Sequence, residues 1–333
     1  MMANLPQSAT PYAAVPYDPA AAPASIPAPL SATHRSADRY GFLQAPGARL
    51  RVASWNTLGT PRGTIVLLSG RSEFIEKYSS EIVGEWLERG FAVEALDWRG
   101  QGLSDRSLDV RDKGHVDDFA TYVADLKLYF ESLPRLTGPV IAVAHSMGGH
   151  ILLRYLAEGH GHLLDTALLT APMTALRREA LLRAALLFMP VRPAIECGYL
   201  YGGGPYAMLS KEFSINRLTH DERRFRFTQL WFAADPRLTL GGPTTGWARQ
   251  AVRSMRMADQ PGYLERIELP ITIVSSGQDR LVVSRSHVGV ARRLQRGEQV
   301  YVAEARHEIM METDPIRARF WEAFDRVATE AGA

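Results

Sequence analysis

Residues 140–149 read VIAVAHSMGG, an apolar and β-branched run that ends at a serine between small residues. Residues 151–156, ILLRYL, follow with apolar positions at helical spacing. The pattern predicts a buried strand, a sharp turn and a helix, with Ser146 on the turn. A serine on such a turn is raised above the carboxyl edge of a sheet in a strained conformation that requires small neighbours. The motif is G-x-S-x-G with alanine in first place, and it predicts that Ser146 is a nucleophile.

Size and composition are consistent with one large α/β domain carrying an insertion, or with two ordinary domains. The chain has 333 residues, 46% of them apolar, and a formal net charge of +2, which is too small to indicate a nucleic-acid partner. The single cysteine, Cys197, rules out an internal disulfide framework and favours a reducing compartment. No apolar run reaches membrane-spanning length, and no signal peptide is recognisable. We therefore expect a cytoplasmic protein.

Alternating strand and helix patterns predict an α/β fold with a mostly parallel central sheet and helices on both faces. A hairpin is predicted around Pro46 and Gly47. Strand-like apolar runs lie at 64–68, 91–96, 140–144, 166–169, 271–274 and 299–302, and helical patterns lie at 75–89, 119–133 and 314–329.

The alternation stops between residues 172 and 266, where a leucine-rich helical pattern at 176–189 is followed by glycine-rich turns. We therefore predict three parts: a disordered Pro/Ala-rich arm at 1–38, a core formed by 39–171 and 267–333, and a mainly helical lid at 172–266. The arm is predicted to be disordered because it has too few large apolar groups to offset its ordering entropy.

A serine nucleophile needs a base, and the base needs an orienting carboxylate. In doubly wound hydrolases the chain order is serine, acid, histidine. Asp279 follows the predicted strand 271–274 and is the candidate acid, whereas Asp235 and Asp259 compete from inside the predicted lid. His307 follows the last predicted strand and is the candidate base. Of the other eight histidines, His145 is expected to point away from the site.

A tetrahedral intermediate needs two backbone N–H donors for its oxyanion. Met147, at the start of the helix after Ser146, is the first candidate donor. Arg71 is the second, because it follows the strand 64–68 and the turn that Gly70 is expected to permit. The Arg71 side chain is interpreted either as solvated or as a holder of an anionic head group.

Several segments together resemble the lysophospholipase/monoacylglycerol lipase branch of the α/β-hydrolases, from about Tyr40 to the C-terminus. They are SGRSEFIEKY at 69–78, DWRGQGLS at 97–104 and HVDDF at 115–119, with NRLT at 216–219 and LGGPT at 240–244 resembling the lid of lysophospholipase L2-like members. Monoacylglycerol lipases carry His-Gly where this chain has Ser69 and Gly70, and the usual first glycine of the serine motif is Ala144. Neither departure removes a catalytic group. The branch is often labelled serine aminopeptidase.

The resemblance implies an α/β-hydrolase fold and a serine hydrolase that cleaves carboxylic esters through an acyl-enzyme, as a lysophospholipase or monoacylglycerol-type lipase, without a metal or organic cofactor. It leaves an aminopeptidase or amidase open, and a non-catalytic lipid- or ligand-binding protein on the same fold is the alternative from another class. The expected partner is a small acyl ester or lipid. The apolar lid helix either packs on the core or makes transient contact with a membrane surface, which would make the protein peripheral to the inner membrane.

Overall fold

The computed structural model describes residues 15–208 and 212–333. The described residues form one eight-stranded sheet. Its strands are β1 (Arg39–Ala45), β2 (Ala48–Trp55), β3 (Gly63–Leu68), β4 (Phe91–Leu96), β5 (Val140–His145), β6 (Thr166–Thr170), β7 (Ile271–Ser276) and β8 (Gly297–Val302). Their order across the sheet is β1-β2-β4-β3-β5-β6-β7-β8. The hairpin β1–β2 is antiparallel and the strands from β3 to β8 are parallel, which confirms the predicted mostly parallel sheet.

Helices cover both faces of the sheet. They are α1 (Ile75–Ser79), α2 (Ile82–Glu88), α3 (Phe119–Ser132), α4 (Met147–Ala157), α5 (Glu179–Phe188), α6 (Pro193–Glu196), α7 (Glu222–Ala234), α8 (Thr245–Ala258), α9 (Arg285–Arg293) and α10 (Asp314–Glu330). Short 3₁₀ turns lie at Pro19–Ala21, Ala28–Leu30, Tyr206–Met208, Phe213–Ile215, Pro236–Leu238, Leu264–Arg266 and Ile309–Met311. In the part of the chain that the structure describes, no helix is both long and apolar enough to cross a membrane.

Two hydrophobic cores lie on the two sides of the sheet. Successive side chains of a strand point to opposite faces, so Ala142 and Ala144 pack with α3, α4 and α9, whereas Ile141 and Val143 pack with α1, α2 and α10. Because helices cover both faces, every residue of β5 is buried. This explains why β5 is recognisable in the sequence as a continuous apolar run.

The insertion between β6 and β7 is mainly helical and contains the described part of the predicted lid; residues 209–211 lie outside the described residues. Trp247 and Ala251 of α8 belong to the same hydrophobic core as α3 and α4. Trp231 and Phe232 of α7 pack with Phe74, which lies just before α1. The insertion is therefore fixed to the carboxyl end of the sheet at two places.

The prediction of a disordered arm is wrong for residues 15–38, while residues 1–14 lie outside the described residues. Ala21 and Leu30 are buried, and the carbonyl of Ala21 accepts a hydrogen bond from Nε of the buried Arg51 at 2.6 Å. The carbonyl of Arg35 accepts another from Trp55 Nε1 at 2.8 Å. The arm is ordered because its backbone carbonyls satisfy buried donors of β2, a contribution that composition does not reveal.

The predicted helix at 75–89 is two helices, α1 and α2, separated at Ser80 and Glu81. Glu81 leaves the helical conformation (φ −155°), and its carboxylate accepts a hydrogen bond from Arg224 Nε of α7 at 2.7 Å. Ser80 accepts a hydrogen bond from Trp231 Nε1 at 2.8 Å. These contacts to the insertion account for the break.

Candidate active site

Ser146 lies on the sharp turn between β5 and α4 with φ 48° and ψ −111°, a conformation that non-glycine residues rarely adopt. Its N–H donates to the carbonyl of Thr170 at 3.0 Å, which fixes the turn to β6. A Cβ at Gly148 would lie 2.4 Å from the carbonyl oxygen of Leu68, and one at Gly149 would lie 2.9 Å from Cβ of Pro172. Glycine is therefore required at both positions for α4 to start this close to the sheet.

The structure brings Ser146, His307 and Asp279 together at the carboxyl ends of β5, β8 and β7. Nε2 of His307 lies 3.0 Å from Oγ of Ser146, and Nδ1 of His307 lies 2.6 Å from Oδ2 of Asp279. All three residues are buried, Ser146 being 9% exposed and His307 4%. Both distances are within hydrogen-bonding range, so a proton can pass between the hydroxyl and the imidazole while the carboxylate orients the ring.

Asp279 is held as a carboxylate by donors on both of its oxygens. The N–H groups of Leu281 and Val282 donate to Oδ1 at 2.7 and 3.0 Å, and His307 occupies Oδ2. Burial alone would raise the pKa of Asp279, but these hydrogen bonds and the nearby imidazole lower it below its usual value. Arg177 Nη2 also donates to the Asp279 carbonyl at 2.7 Å, which ties the start of the insertion to this loop.

The competing carboxylates lie elsewhere. Asp235 is buried at the end of α7 and pairs with Arg237 at 2.6 Å. Asp259 follows α8 with a side chain that is 87% exposed. Neither forms a hydrogen bond or ion pair with His307.

The expectation that His145 points away from the site is wrong. Its ring centroid lies 4.8 Å from that of His307, and Nδ1 lies 3.0 Å from Thr170 Oγ1. His145 ends β5 on the face that carries Ile141 and Val143, and the loop bearing His307 folds over that face. Burial lowers the pKa of His145 to about 4, so the ring is neutral at pH 7 and packs beside His307 without adding a charge.

The loop at 69–73 presents the second candidate oxyanion donor. The N–H of Arg71 has no acceptor in the described part of the chain, and the N–H of Met147 is at the first position of α4, where no intrahelical acceptor exists. The residue with positive φ in this loop is Ser72 (63°) and not Gly70. Gly70 is needed for a different reason, since a Cβ there would lie 2.8 Å from Glu73 Oε2.

Side chains from the segment after β4 hold this loop in place. Trp98 Nε1 donates to the carbonyl of Ser69 at 2.7 Å. Gln101 Nε2 donates to the carbonyl of Gly70 at 2.6 Å, and its Oε1 accepts from the N–H of Ser72 at 3.2 Å. The DWRGQGLS segment therefore shapes the loop. Its described residues form no hydrogen bond with Ser146.

Sequence reasoning missed a buried ionic cluster next to the three residues. Lys77 Nζ lies 2.7 Å from Glu73 Oε1 and 2.6 Å from Glu308 Oε1. Glu73 also accepts hydrogen bonds from the N–H of Gly70 and, at 2.7 Å, from the hydroxyl of Tyr78. Lys77 thus bridges the loop at 69–73 and the residue that follows His307. The only sequence signal is the i, i+4 spacing of Glu73 and Lys77.

Burial and pairing oppose each other in this cluster. Burial would raise the pKa of Glu73, but the Lys77 ammonium and the hydrogen bonds from Lys77 and Tyr78 lower it below the usual value. The pKa of Glu308 is raised by burial in spite of Lys77. One cation is thus the partner of two buried carboxylates.

Among residues 15–208 and 212–333, no group of three or more His, Cys, Asp or Glu side chains is arranged to hold a metal ion.

The insertion presents an apolar surface to solvent on α5 and just after it. Leu187 is 83% exposed and Phe188 is 88% exposed, and Leu181 and Val191 are also largely exposed. The opposite side of α5 is anchored through the buried Leu186 and through Arg249 Nη1, which donates to the Leu186 carbonyl at 2.8 Å. The predicted alternative that the leucines of this helix pack on the core therefore holds for Leu186 but not for these exposed residues.

Comparisons with known proteins agree with this architecture. The profile of the family described as "Serine aminopeptidase, S33" (Hydrolase_4) matches residues 59–314. Lysophospholipase L2 of Escherichia coli (strain K12) is 30% identical over 302 residues, which cover 87% of each chain. Human monoglyceride lipase is 25% identical over 253 residues, covering 73% of this chain and 74% of that protein.

Solved structures show the same fold. A soluble variant of monoglyceride lipase from Saccharomyces cerevisiae, in complex with a substrate analog, superposes with a TM-score of 0.71 at 17% identity, covering 89% of this chain and 96% of that one. The extent of the family match, together with the eight-stranded sheet and its inserted helices, shows that this chain belongs to the serine aminopeptidase S33 family of α/β-hydrolases, as a serine hydrolase of its lysophospholipase/monoacylglycerol lipase branch.

Proposed function

We propose that this protein hydrolyses carboxylic esters of lipids through an acyl-enzyme on Ser146. The observation that carries the proposal is the continuous hydrogen-bonded path from Ser146 Oγ to His307 Nε2 and from His307 Nδ1 to Asp279 Oδ2, at 3.0 and 2.6 Å. A serine hydroxyl is a weak nucleophile until a base removes its proton. This path supplies the base and the carboxylate that holds it in the required tautomer.

The reaction follows in two halves. His307 Nε2 takes the proton of Ser146 while Oγ attacks the acyl carbonyl, and the N–H groups of Met147 and Arg71 stabilise the oxyanion. The imidazolium then gives its proton to the leaving alcohol as the C–O bond breaks. In the second half, His307 takes a proton from water, the resulting hydroxide attacks the acyl-enzyme, and Ser146 recovers its proton as the fatty acid leaves.

The insertion acts as the lid of this site. Ser146 is only 9% exposed, and we expect the insertion to shift to admit a lipid ester, as lids of many enzymes do. A lysophospholipid or monoacylglycerol is the favoured substrate, in line with the names of the relatives at 30% and 25% identity. Exclusion of water by the closed lid would strengthen the electrostatic stabilisation of the transition state.

A panel of substrates tests the reaction class. We expect turnover of monoacylglycerols, lysophospholipids and p-nitrophenyl acyl esters, slower or absent turnover of aminoacyl p-nitroanilides, and loss of ester turnover in Ser146→Ala. Faster amide turnover would replace the esterase with a peptidase. Ester turnover that survives in purified Ser146→Ala would remove Ser146 from the mechanism.

The family description keeps aminopeptidase activity as the second candidate. An aminopeptidase needs a free carboxylate to bind the α-ammonium group of its substrate. Two buried carboxylates close to the site, Glu73 and Glu308, are already paired with Lys77. Arg71, in the loop at 69–73, is a cation with no acidic partner among the described residues, which favours an ester over an N-terminal amine.

The exposed apolar surface of α5 is proposed to touch lipid aggregates transiently. Burying a Leu or Phe side chain contributes about 1.5–3 kcal/mol, so Leu187→Ser/Phe188→Ser should weaken binding to phospholipid vesicles by more than about 10-fold. Hydrolysis of a micellar substrate should fall while that of a soluble short-chain ester is retained. The control is Leu58→Ser, a fully exposed leucine in the loop before β3, at the edge of the sheet opposite to the one where Ser146 lies. Equal vesicle binding by both variants would contradict the lid contact.

A further inference from the structure

The side chain of Arg71 is a partly buried cation without an acidic partner in the part of the chain that the structure describes. Its guanidinium donates to the carbonyl of Gly241 at 2.8 Å and to Ser72 Oγ at 3.0 Å. Its Nε is buried and has no acceptor in the described residues. By contrast, the buried arginines each form an ion pair with a carboxylate: Arg51, Arg99, Arg154, Arg224 and Arg317.

Arg71 joins the core to the insertion beside the candidate active site. The guanidinium carbon lies 5.2 Å from the ring centroid of Trp247 in α8, and Gly241 is also part of the insertion. On the core side, a Cβ at Gly114 would lie 2.5 Å from Nη2, so the absence of a side chain there makes room for the arginine. The Arg71 guanidinium therefore lies in a site that is shaped around it, and not in open solvent.

The group remains charged at neutral pH and lacks a counter-ion. Burial lowers the pKa of Arg71 to about 10, and the negative charge of Asp112 only partly offsets this effect. Asp112 forms no ion pair with Arg71 in the described part of the chain; one of its oxygens accepts from the N–H of Tyr206 at 2.5 Å and from the hydroxyl of Tyr199 at 3.4 Å. A buried cation without an anion is costly unless a ligand supplies the anion.

The position of Arg71 beside the proposed oxyanion site indicates where such an anion would bind. Its backbone N–H is the proposed second oxyanion donor, so its side chain reaches groups that lie a few bonds from the scissile carbonyl. An acyl chain gains nothing from a guanidinium, whereas a phosphate matches its planar set of donors. In a lysophospholipid, the glycerol unit separates the ester from a phosphodiester by a span of this kind.

We propose that the Arg71 side chain binds the phosphodiester of a lysophospholipid head group and so selects this substrate over a neutral monoacylglycerol. This inference rests on the proposed esterase function. It makes Arg71 a determinant of substrate specificity through its side chain, in addition to the oxyanion contact of its backbone.

The test is the ratio of kcat/KM for a lysophosphatidylglycerol to kcat/KM for the monoacylglycerol with the same acyl chain, both below their critical micelle concentrations. Removing a hydrogen-bonded charge should lower this ratio by roughly 10- to 100-fold in Arg71→Gln, mainly through KM. Arg71→Lys should fall between wild type and Arg71→Gln. The control is Arg292→Gln, which removes the same charge from the exposed surface of α9 and should leave the ratio unchanged.

A second measurement uses sn-glycerol 3-phosphate as an inhibitor of short-chain ester hydrolysis. We expect it to inhibit wild type more strongly than Arg71→Gln, and more strongly than inorganic phosphate at matched ionic strength does. If Arg71 only braces the loop through Gly241, both substrates will lose kcat/KM in parallel and the ratio will not change, which would overturn the inference. Failure of the proposed function itself is distinguishable, because wild type would then hydrolyse neither ester.

Discussion

Replacing Asp279 by asparagine is expected to lower kcat for ester hydrolysis roughly 10⁴-fold, the effect of this change in other serine hydrolases with the same relay. Asp279 Oδ2 accepts from His307 Nδ1 at 2.6 Å. An asparagine amide keeps the size of the side chain but no longer fixes the imidazole tautomer that leaves Nε2 free to accept the proton of Ser146. Single-turnover and steady-state kinetics with a soluble p-nitrophenyl ester measure the loss.

The matched control for this variant is Asp259→Asn, whose exposed carboxylate was one of the competing candidates. It should retain the wild-type kcat. Thermal unfolding of Asp279→Asn checks that the loss is chemical, since Leu281 and Val282 can still donate to the amide oxygen at the Oδ1 position. A kcat for Asp279→Asn close to that of Asp259→Asn would remove Asp279 from the relay.

Replacing Lys77 by methionine is expected to lower the free energy of unfolding by about 3–5 kcal/mol at pH 8, because the change leaves buried charges without their partner. Lys77 Nζ is the shared partner of Glu73 and Glu308, at 2.7 and 2.6 Å. Activity should fall as well, since Glu73 fixes the N–H of Gly70 and Glu308 adjoins His307. Urea unfolding measures the stability, and the exposed Lys127→Met is the control.

The pH dependence of the stability deficit of Lys77→Met distinguishes loss of the ammonium charge from loss of packing. Without the ammonium group, burial and mutual repulsion raise the folded-state pKa of Glu73 and Glu308 above the unfolded value of about 4.3. Groups with a raised folded-state pKa destabilise the fold progressively as pH rises through that range. The stability deficit should therefore be smaller at pH 5 than at pH 8. A deficit that is equal at both values would mean that the ammonium charge is not what stabilises the cluster.

Sequence patterns were sufficient for the sheet because the parallel strands are covered on both faces. Each of β3, β5, β6 and β7 is buried throughout, so each appears as a short, mostly apolar run without charged residues. The site residues could be proposed for a related reason. Chain order in this fold puts the ends of β5, β7 and β8 at one edge of the sheet. The residues predicted there, Ser146, Asp279 and His307, have side chains within hydrogen-bonding distance of one another.

What the sequence did not reveal depends on contacts between distant segments. The ordering of residues 15–38 depends on a hydrogen bond between Arg51 and the backbone of Ala21, thirty positions apart. The break before α2 depends on Glu81 meeting Arg224 of the insertion. Lys77 and Glu308 are linked across most of the chain. Periodicity and composition report local burial, whereas these pairs depend on how the segments are brought together.

Covalent labelling decides whether Ser146 is the activated nucleophile of this fold. Wild-type protein treated with a fluorophosphonate probe, digested and analysed by mass spectrometry should carry one adduct, on Ser146, with loss of ester turnover in proportion to labelling. Ser146→Ala should remain folded and unlabelled, and His307→Gln should label far more slowly. Folded wild-type protein that takes up no probe, or an adduct on another residue while Ser146→Ala still hydrolyses esters, would show that Ser146 is not the nucleophile.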